Sequence, residues 1–137
     1  FKSTWFEQLI NREIPIEQRL TRFYQEYYQA ILTRKWLRFF LYASLQDVSI
    51  APKYISSFVT QLVELIVKEV AIEKKLCIPP KQDAFVQEVG WLLHGSISHL
   101  AIRRQIYQDK RITEINQVIE AQVKTFVSGL PAIFEPN

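Results

Sequence analysis

The sequence predicts an all-α protein, an antiparallel bundle of about six helices. Three observations carry that prediction. Apolar residues recur at three- and four-residue spacing through long runs, as on the buried face of a helix. Only 3 of the 137 residues are glycine, and long side chains that suit helices are common. No stretch alternates apolar and polar residues for long enough to read as a strand. The length is that of one domain, and 48% hydrophobic residues are enough to fill a core.

The elements follow in order. In STWFEQLINRE, Trp5, Phe6, Leu9 and Ile10 fall at helical spacing, and Pro15 closes that helix and opens the next. The second helix is expected over 16–34, on a stripe of Ile16, Leu20, Phe23, Tyr27, Ala30 and Ile31. The third, KWLRFFLYASLQD over 35–47, is apolar nearly all round, which places it centrally. Pro52 breaks the chain before a long helix over 53–76, and Pro79-Pro80 stops that helix. A fifth is expected over 81–108 and a sixth over 112–129, ended by Gly129 and Pro131. The tail AIFEPN is expected to be loose or lightly docked.

Several function classes lack their chemistry. The net charge is +3 and the cations are dispersed, unlike a dedicated nucleic-acid module. No apolar run reaches membrane-spanning length. Cys77 is the only cysteine, so no intrachain disulfide is possible and a reducing, cytoplasmic setting is expected. His94 and His99 are five residues apart, about 140° around a helix, whereas helical zinc pairs prefer a spacing of four. No Asp, Glu or Cys lies between them, so no metal site is expected. There is no GxSxG motif, no phosphate-binding loop and no histidine near Cys77 in the sequence. Glu69 and Glu73, four apart beside Lys68, Lys74 and Lys75, read as solvated surface. Neither catalysis nor a cofactor is expected.

Aromatic residues crowd the inner helices: Tyr24, Tyr27, Tyr28, Trp36, Phe39, Phe40, Tyr42, Phe58 and Trp91. They can pack solid, or they can line a cavity with a few polar groups for orientation. The cavity reading nominates Tyr24, Tyr27, Tyr28, Phe40, Phe58, Gln61, Leu62, Trp91, His94 and Ser98. The stretch WLLHGSISHLAIRR, residues 91–104, adds Gly95, Ser96 and His99 inside a helical pattern, where small residues allow a partner helix to come close.

The run RLTRFYQEYYQAILTRKWLRFFLYASLQD, a break, a long amphipathic helix, Pro-Pro and WLLHGSISHLAIRR together resemble the C-terminal domain of the TetR/AcrR family of bacterial transcriptional regulators. The short-helix pattern of that family is matched by Arg38-Phe39-Phe40-Leu41-Tyr42-Ala43-Ser44-Leu45. The resemblance implies that residues 1–12 end a linking helix, 13–131 form an effector-binding and dimerisation domain, and 132–137 are a tail. It implies a homodimer through the last two long helices, with Gly95, Ser96, His99, Ile102, Arg103, Ile106, Ile115, Val118, Ile119, Gln122 and Phe126 as interface candidates. It further implies a small hydrophobic effector, and DNA bound only through an N-terminal helix-turn-helix domain absent from this chain. The different expectation is a helical scaffold or protein-interaction domain without a ligand, in which the aromatics leave no cavity.

Overall fold

Three side chains set where the helices begin. Pro15, with no N–H to satisfy, stands directly before α2 (Ile16–Ala30). The Thr33 hydroxyl accepts the backbone N–H of Trp36 and opens α3 (Arg34–Leu45). The Asp83 carboxylate accepts from Phe85 and Val86 and opens α6 (Ala84–Gln105). The computed structural model describes residues 3–80 and 83–137. The rest of the chain is α1 (Thr4–Leu9), α4 (Ile50–Tyr54), a π-helical turn (Ile55–Val59), α5 (Thr60–Lys74), α7 (Ile115–Gly129) and a 3₁₀ turn (Leu130–Ala132). α4, the π turn and α5 are continuous, so the fold has six helical rods, and among the described residues no strand forms. The expected starts at residue 1 for the first helix and residue 81 for the fifth lie outside the described residues.

Neighbouring rods alternate in direction. Ile16, Arg19 and Tyr27 of α2 meet Glu73, Glu69 and Phe58 in turn, which makes α2 antiparallel to the π turn and α5. Gln122 of α7 meets Ser96, and Ile112 before α7 meets Arg104, so α6 and α7 are also antiparallel. The core between them is rich in rings. Trp5, Phe23, Tyr24 and Tyr27 are all buried, with Trp5 edge-on to Phe23 at 5.4 Å. Edge-to-face pairs of this kind add to the area they bury.

The tightest helix contact is at Gly90, not at Gly95. A Cβ on Gly90 would sit 2.5 Å from the Val63 carbonyl oxygen and 2.6 Å from its Cβ, so only glycine lets α5 and α6 approach there. A Cβ on Gly95 would meet only the Trp91 ring, at 3.8 Å.

Two further expectations are corrected. α3 is peripheral rather than central: only Leu37 and Ala43 are buried, while Trp36, Phe39, Tyr42 and Leu45 are exposed. A pattern apolar on all sides does not say how many sides find a partner. Glu69 is no surface carboxylate but is 1% exposed. It accepts from Arg19 at 2.8 Å and from Arg12 at 3.1 and 2.9 Å. Burial alone would raise its pKa, but the bonds from Arg12 and Arg19 outweigh that and hold it below the usual carboxylate range. Glu73, more open, accepts the N–H of Ile16. α7 ends at Gly129, as expected, and the chain turns there directly into the 3₁₀ turn that holds Pro131. The tail is docked: Phe134 is buried, Cys77 donates to Glu135, and Asn137 donates to Lys75, across an antiparallel bridge of Leu76 and Pro136.

Candidate ligand-binding cleft

Where α2 ends, α3 crosses and α6 passes, the peripheral placement of α3 leaves a cleft of about 390 Å³. Tyr27, Ile31 and Leu32 line one side. Trp36, Leu37, Phe39, Phe40 and Leu41 of α3 cover it. Ile50, Tyr54, Ile55 and Val59 close the next side, and Trp91, His94, Ser98 and Ile102 of α6 form the floor. Among the described residues no Asp, Glu, Lys or Arg lines it. Linings of this kind, apolar with a few placed polar atoms, suit small molecules.

The π turn shapes this wall. Thr60 donates its backbone N–H to the Ile55 carbonyl five residues back, and its hydroxyl also bonds that carbonyl at 3.0 Å. The extra residue per turn brings Tyr54 and Ile55 to the cleft together, and π turns often mark functional sites. The hydroxyls of Tyr54 and Tyr27 bond each other across the opening. Burial, the main cause, raises the pKa of both phenols above the ordinary range, far more for Tyr27 than for Tyr54, so both stay protonated.

His94 is the polar centre of the floor. It is 3% exposed and touches the rings of Tyr24, Tyr27 and Trp91. Burial pushes its pKa down to about 4, so the imidazole is neutral at physiological pH. Its Nδ1 lies 3.0 Å from the Tyr24 hydroxyl.

Of the ten residues nominated from sequence for a cavity, the cleft brings together Tyr27, Phe40, Trp91, His94 and Ser98. The other five do not line it. Tyr24 is fully buried behind His94, and Tyr28 takes a hydrogen bond from Arg104 instead. Phe58 stacks on Tyr27 and Tyr54 from behind, Leu62 is wholly inside the core, and Gln61 faces a different groove. That groove, about 750 Å³ between α5 and residues 76–80, is larger but mixes Glu64, Lys68 and Lys75 with aliphatic side chains. None of its polar side chains is buried, and Glu64 is already bonded to Gln87. Residues not foreseen for the cleft are Ile31, Leu32, Trp36, Leu37, Phe39, Leu41, Ile50, Tyr54, Ile55, Val59 and Ile102. The aromatic excess signalled Trp36 and Phe39, whereas nothing in the spacing signalled the π turn.

The candidates for a second chain also divide. Ile119 and Phe126 are buried in the protomer's own core, so they offer no surface, and Ile102 lines the cleft. Ile106, Ile115 and Val118 pack partly against the core. His99 is exposed, while Gly95, Ser96, Arg103 and Gln122 are half-buried along the outer faces of α6 and α7. Leu92, 60% exposed, adds to that surface. Among the described residues no three His, Cys, Asp or Glu side chains are grouped to hold a metal ion, and no helix is long and apolar enough to cross a membrane. No protein-family model, curated protein or solved structure matches the chain.

Proposed function

We propose that this chain is the ligand-sensing and dimerisation domain of a TetR/AcrR-like transcriptional regulator, and that it binds a small, mainly hydrophobic effector. The observation that carries the reading is the uncharged aromatic cleft with a buried neutral imidazole at its floor. A packed structural core has no use for such an opening, and the titratable groups that line the cleft, Tyr27, Tyr54 and His94, are all kept neutral by burial, which gives catalysis no charged acid or base to work with.

The route to a response is short. Tyr27 lines the cleft on one side and contacts Trp5 of α1 on the other, with ring centroids 5.9 Å apart. Trp5 is held to α2 by an Nε1–H bond to Glu26 at 2.8 Å. In this reading a ligand pressing on Tyr27 moves α1, which leads to a DNA-reading head N-terminal to it. Heads in a dimer must match half-sites about one helical turn apart, so a small displacement weakens DNA binding. The effector must hold the two states with different affinity for this coupling to exist.

The second copy would cover the outer faces of α6 and α7, where Leu92 is exposed beside the small Gly95 and Ser96.

Fluorescence titration with the neutral probe N-phenyl-1-naphthylamine tests the cleft. One probe per protomer is expected, with binding abolished by Ser98→Trp, which fills the floor. Absence of saturable binding would sink the ligand reading. Light scattering during size exclusion tests the dimer, which Leu92→Glu is expected to dissociate. A second reading, a protein-interaction domain, draws on the exposed Trp36, Phe39, Tyr42 and Leu45 of α3. It predicts that Tyr42→Ser and Leu45→Ser abolish partner capture while probe binding is unchanged.

A further inference from the structure

The proton on His94 can be placed by accounting for donors. The Tyr24 hydroxyl is fully buried, and among the described residues its only hydrogen-bond partner is His94 Nδ1, at 3.0 Å. If Nδ1 carried the proton and donated to Tyr24, the phenolic O–H would have no acceptor, and a buried donor left unpaired loses its hydration without compensation. If Tyr24 donates to Nδ1, every donor of the pair is used except one, and that one is Nε2–H. Nε2 has no protein partner among the described residues, and it is not sealed, since His94 forms part of the cleft lining. The Tyr27 and Tyr54 hydroxyls bond each other, which uses one of their two O–H donors and leaves the other at the mouth of the same cleft, whereas Nε2–H stands at its floor.

The geometry points to Nε2–H of His94 as the hydrogen-bond donor that selects an uncharged aromatic ligand bearing a carbonyl-type acceptor. The inference rests on the cleft being a ligand site and adds the chemistry of the ligand. A plain hydrocarbon of the same shape would cover the N–H without pairing it. A carboxylate would enter a cleft that has no cation to meet it, and losing its hydration uncompensated is costly. The neutral imidazole offers one hydrogen bond and no countercharge. The mild positive charge of the whole chain is therefore no guide to the ligand, because none of those cations lines the cleft.

The test is displacement of bound N-phenyl-1-naphthylamine at pH 7.5 by 2-acetylnaphthalene, 2-ethylnaphthalene and 2-naphthoate. The ratio of ketone to hydrocarbon affinity is compared between proteins, so that differences in water solubility cancel. His94→Leu is expected to lower that ratio about five- to tenfold, the worth of one neutral hydrogen bond. His94→Gln, whose amide N–H replaces Nε2–H, is expected to retain most of it. The carboxylate is expected to bind the native protein at least tenfold more weakly than the ketone. An unchanged ratio in His94→Leu, or a carboxylate as tight as the ketone, overturns the assignment while leaving the cleft a ligand site. Failure of the fluorescent probe itself to bind overturns the cleft reading instead. Should His94→Leu not fold, long-range ¹H–¹⁵N spectra of the native protein decide the matter. They are expected to show Nε2 protonated and moved by the ketone, and a proton on Nδ1 overturns the proposal.

Discussion

The molecule has two buried polar centres, and they are built on opposite plans. At one end, Glu69 and Arg19 are both sealed from solvent. Arg19 spends its donors on Glu69 and on the carbonyls of Leu9 and Ile14, while Arg12 closes the other side of the carboxylate. At the other end, His94 is as deeply placed, but only one of its two nitrogens is engaged. The first centre is saturated and ties the α1–α2 loop to α5. The second keeps a donor in reserve at the floor of an apolar cleft. Buried polarity by itself therefore does not mark a functional site. The informative property is a polar atom that the fold has positioned but not satisfied.

The largest expected effect comes from breaking the saturated centre. Glu69→Ala leaves the Arg19 guanidinium buried without its carboxylate, and losing one partner of a buried pair costs about 3–5 kcal/mol. Urea unfolding should show that loss, with Glu69→Gln intermediate. A loss under 1 kcal/mol would mean that water reaches Arg19 and that the two centres are not so different.

Acid should separate the centres by pH. The unfolded imidazole takes a proton near its ordinary value of 6.5, whereas His94 in the fold waits until about 4. Between those values protons favour the unfolded chain, so stability falls as pH drops from 6.5 towards 4, by about 3 kcal/mol in all, and levels off below. Glu69 behaves differently. Its carboxylate is held below the usual range, so its stabilisation is present at neutral pH and is lost only on acidification through that lowered pKa. Thermal unfolding at a series of pH values, repeated on His94→Gln, checks this: the decline between 6.5 and 4 should shrink in the variant and the steeper loss at lower pH should remain.

The two glycines of α6 sharpen the comparison at smaller scale. Gly90→Ala forces a methyl group into the Val63 backbone and is expected to cost about 1–2 kcal/mol after the gain in helix propensity. Gly95→Ala meets only ordinary contact with Trp91 and is expected to stabilise the protomer by up to about 1 kcal/mol. Calorimetry of the two variants should give opposite signs.

Much of this fold was legible in the order of residues. The six rods, the breaks at Pro15 and at Pro79-Pro80, and the lack of strands among the described residues follow from spacing and from residues that cannot continue a helix, whereas the break expected at Pro52 falls earlier, at residues 46–49, and Pro52 sits in the first turn of α4. Half of the nominated cleft was legible too, because an excess of rings on inner helices signals either a dense core or a cavity. The α3 pattern was misleading for a related reason. Its rings are apolar on every side, and such a pattern carries no direction.

What the sequence by itself determined is local: which residues are helical, where each helix starts and which faces are apolar. Only the tertiary structure decided which of those faces met a partner. Glu69 and Glu73 have the same residue type and similar neighbours in the chain, yet Glu69 alone turns wholly inward, because the packing of α5 against α2 aims it at Arg19. Gly90 and Gly95 are likewise indistinguishable until α5 lies across one of them. His94 became a donor facing a cleft because Tyr24, 70 residues away in sequence, claimed its other nitrogen. A helix's own residues set its period, but the rotation of that helix about its axis is set by its neighbours, and that rotation decides which polar atoms are left open.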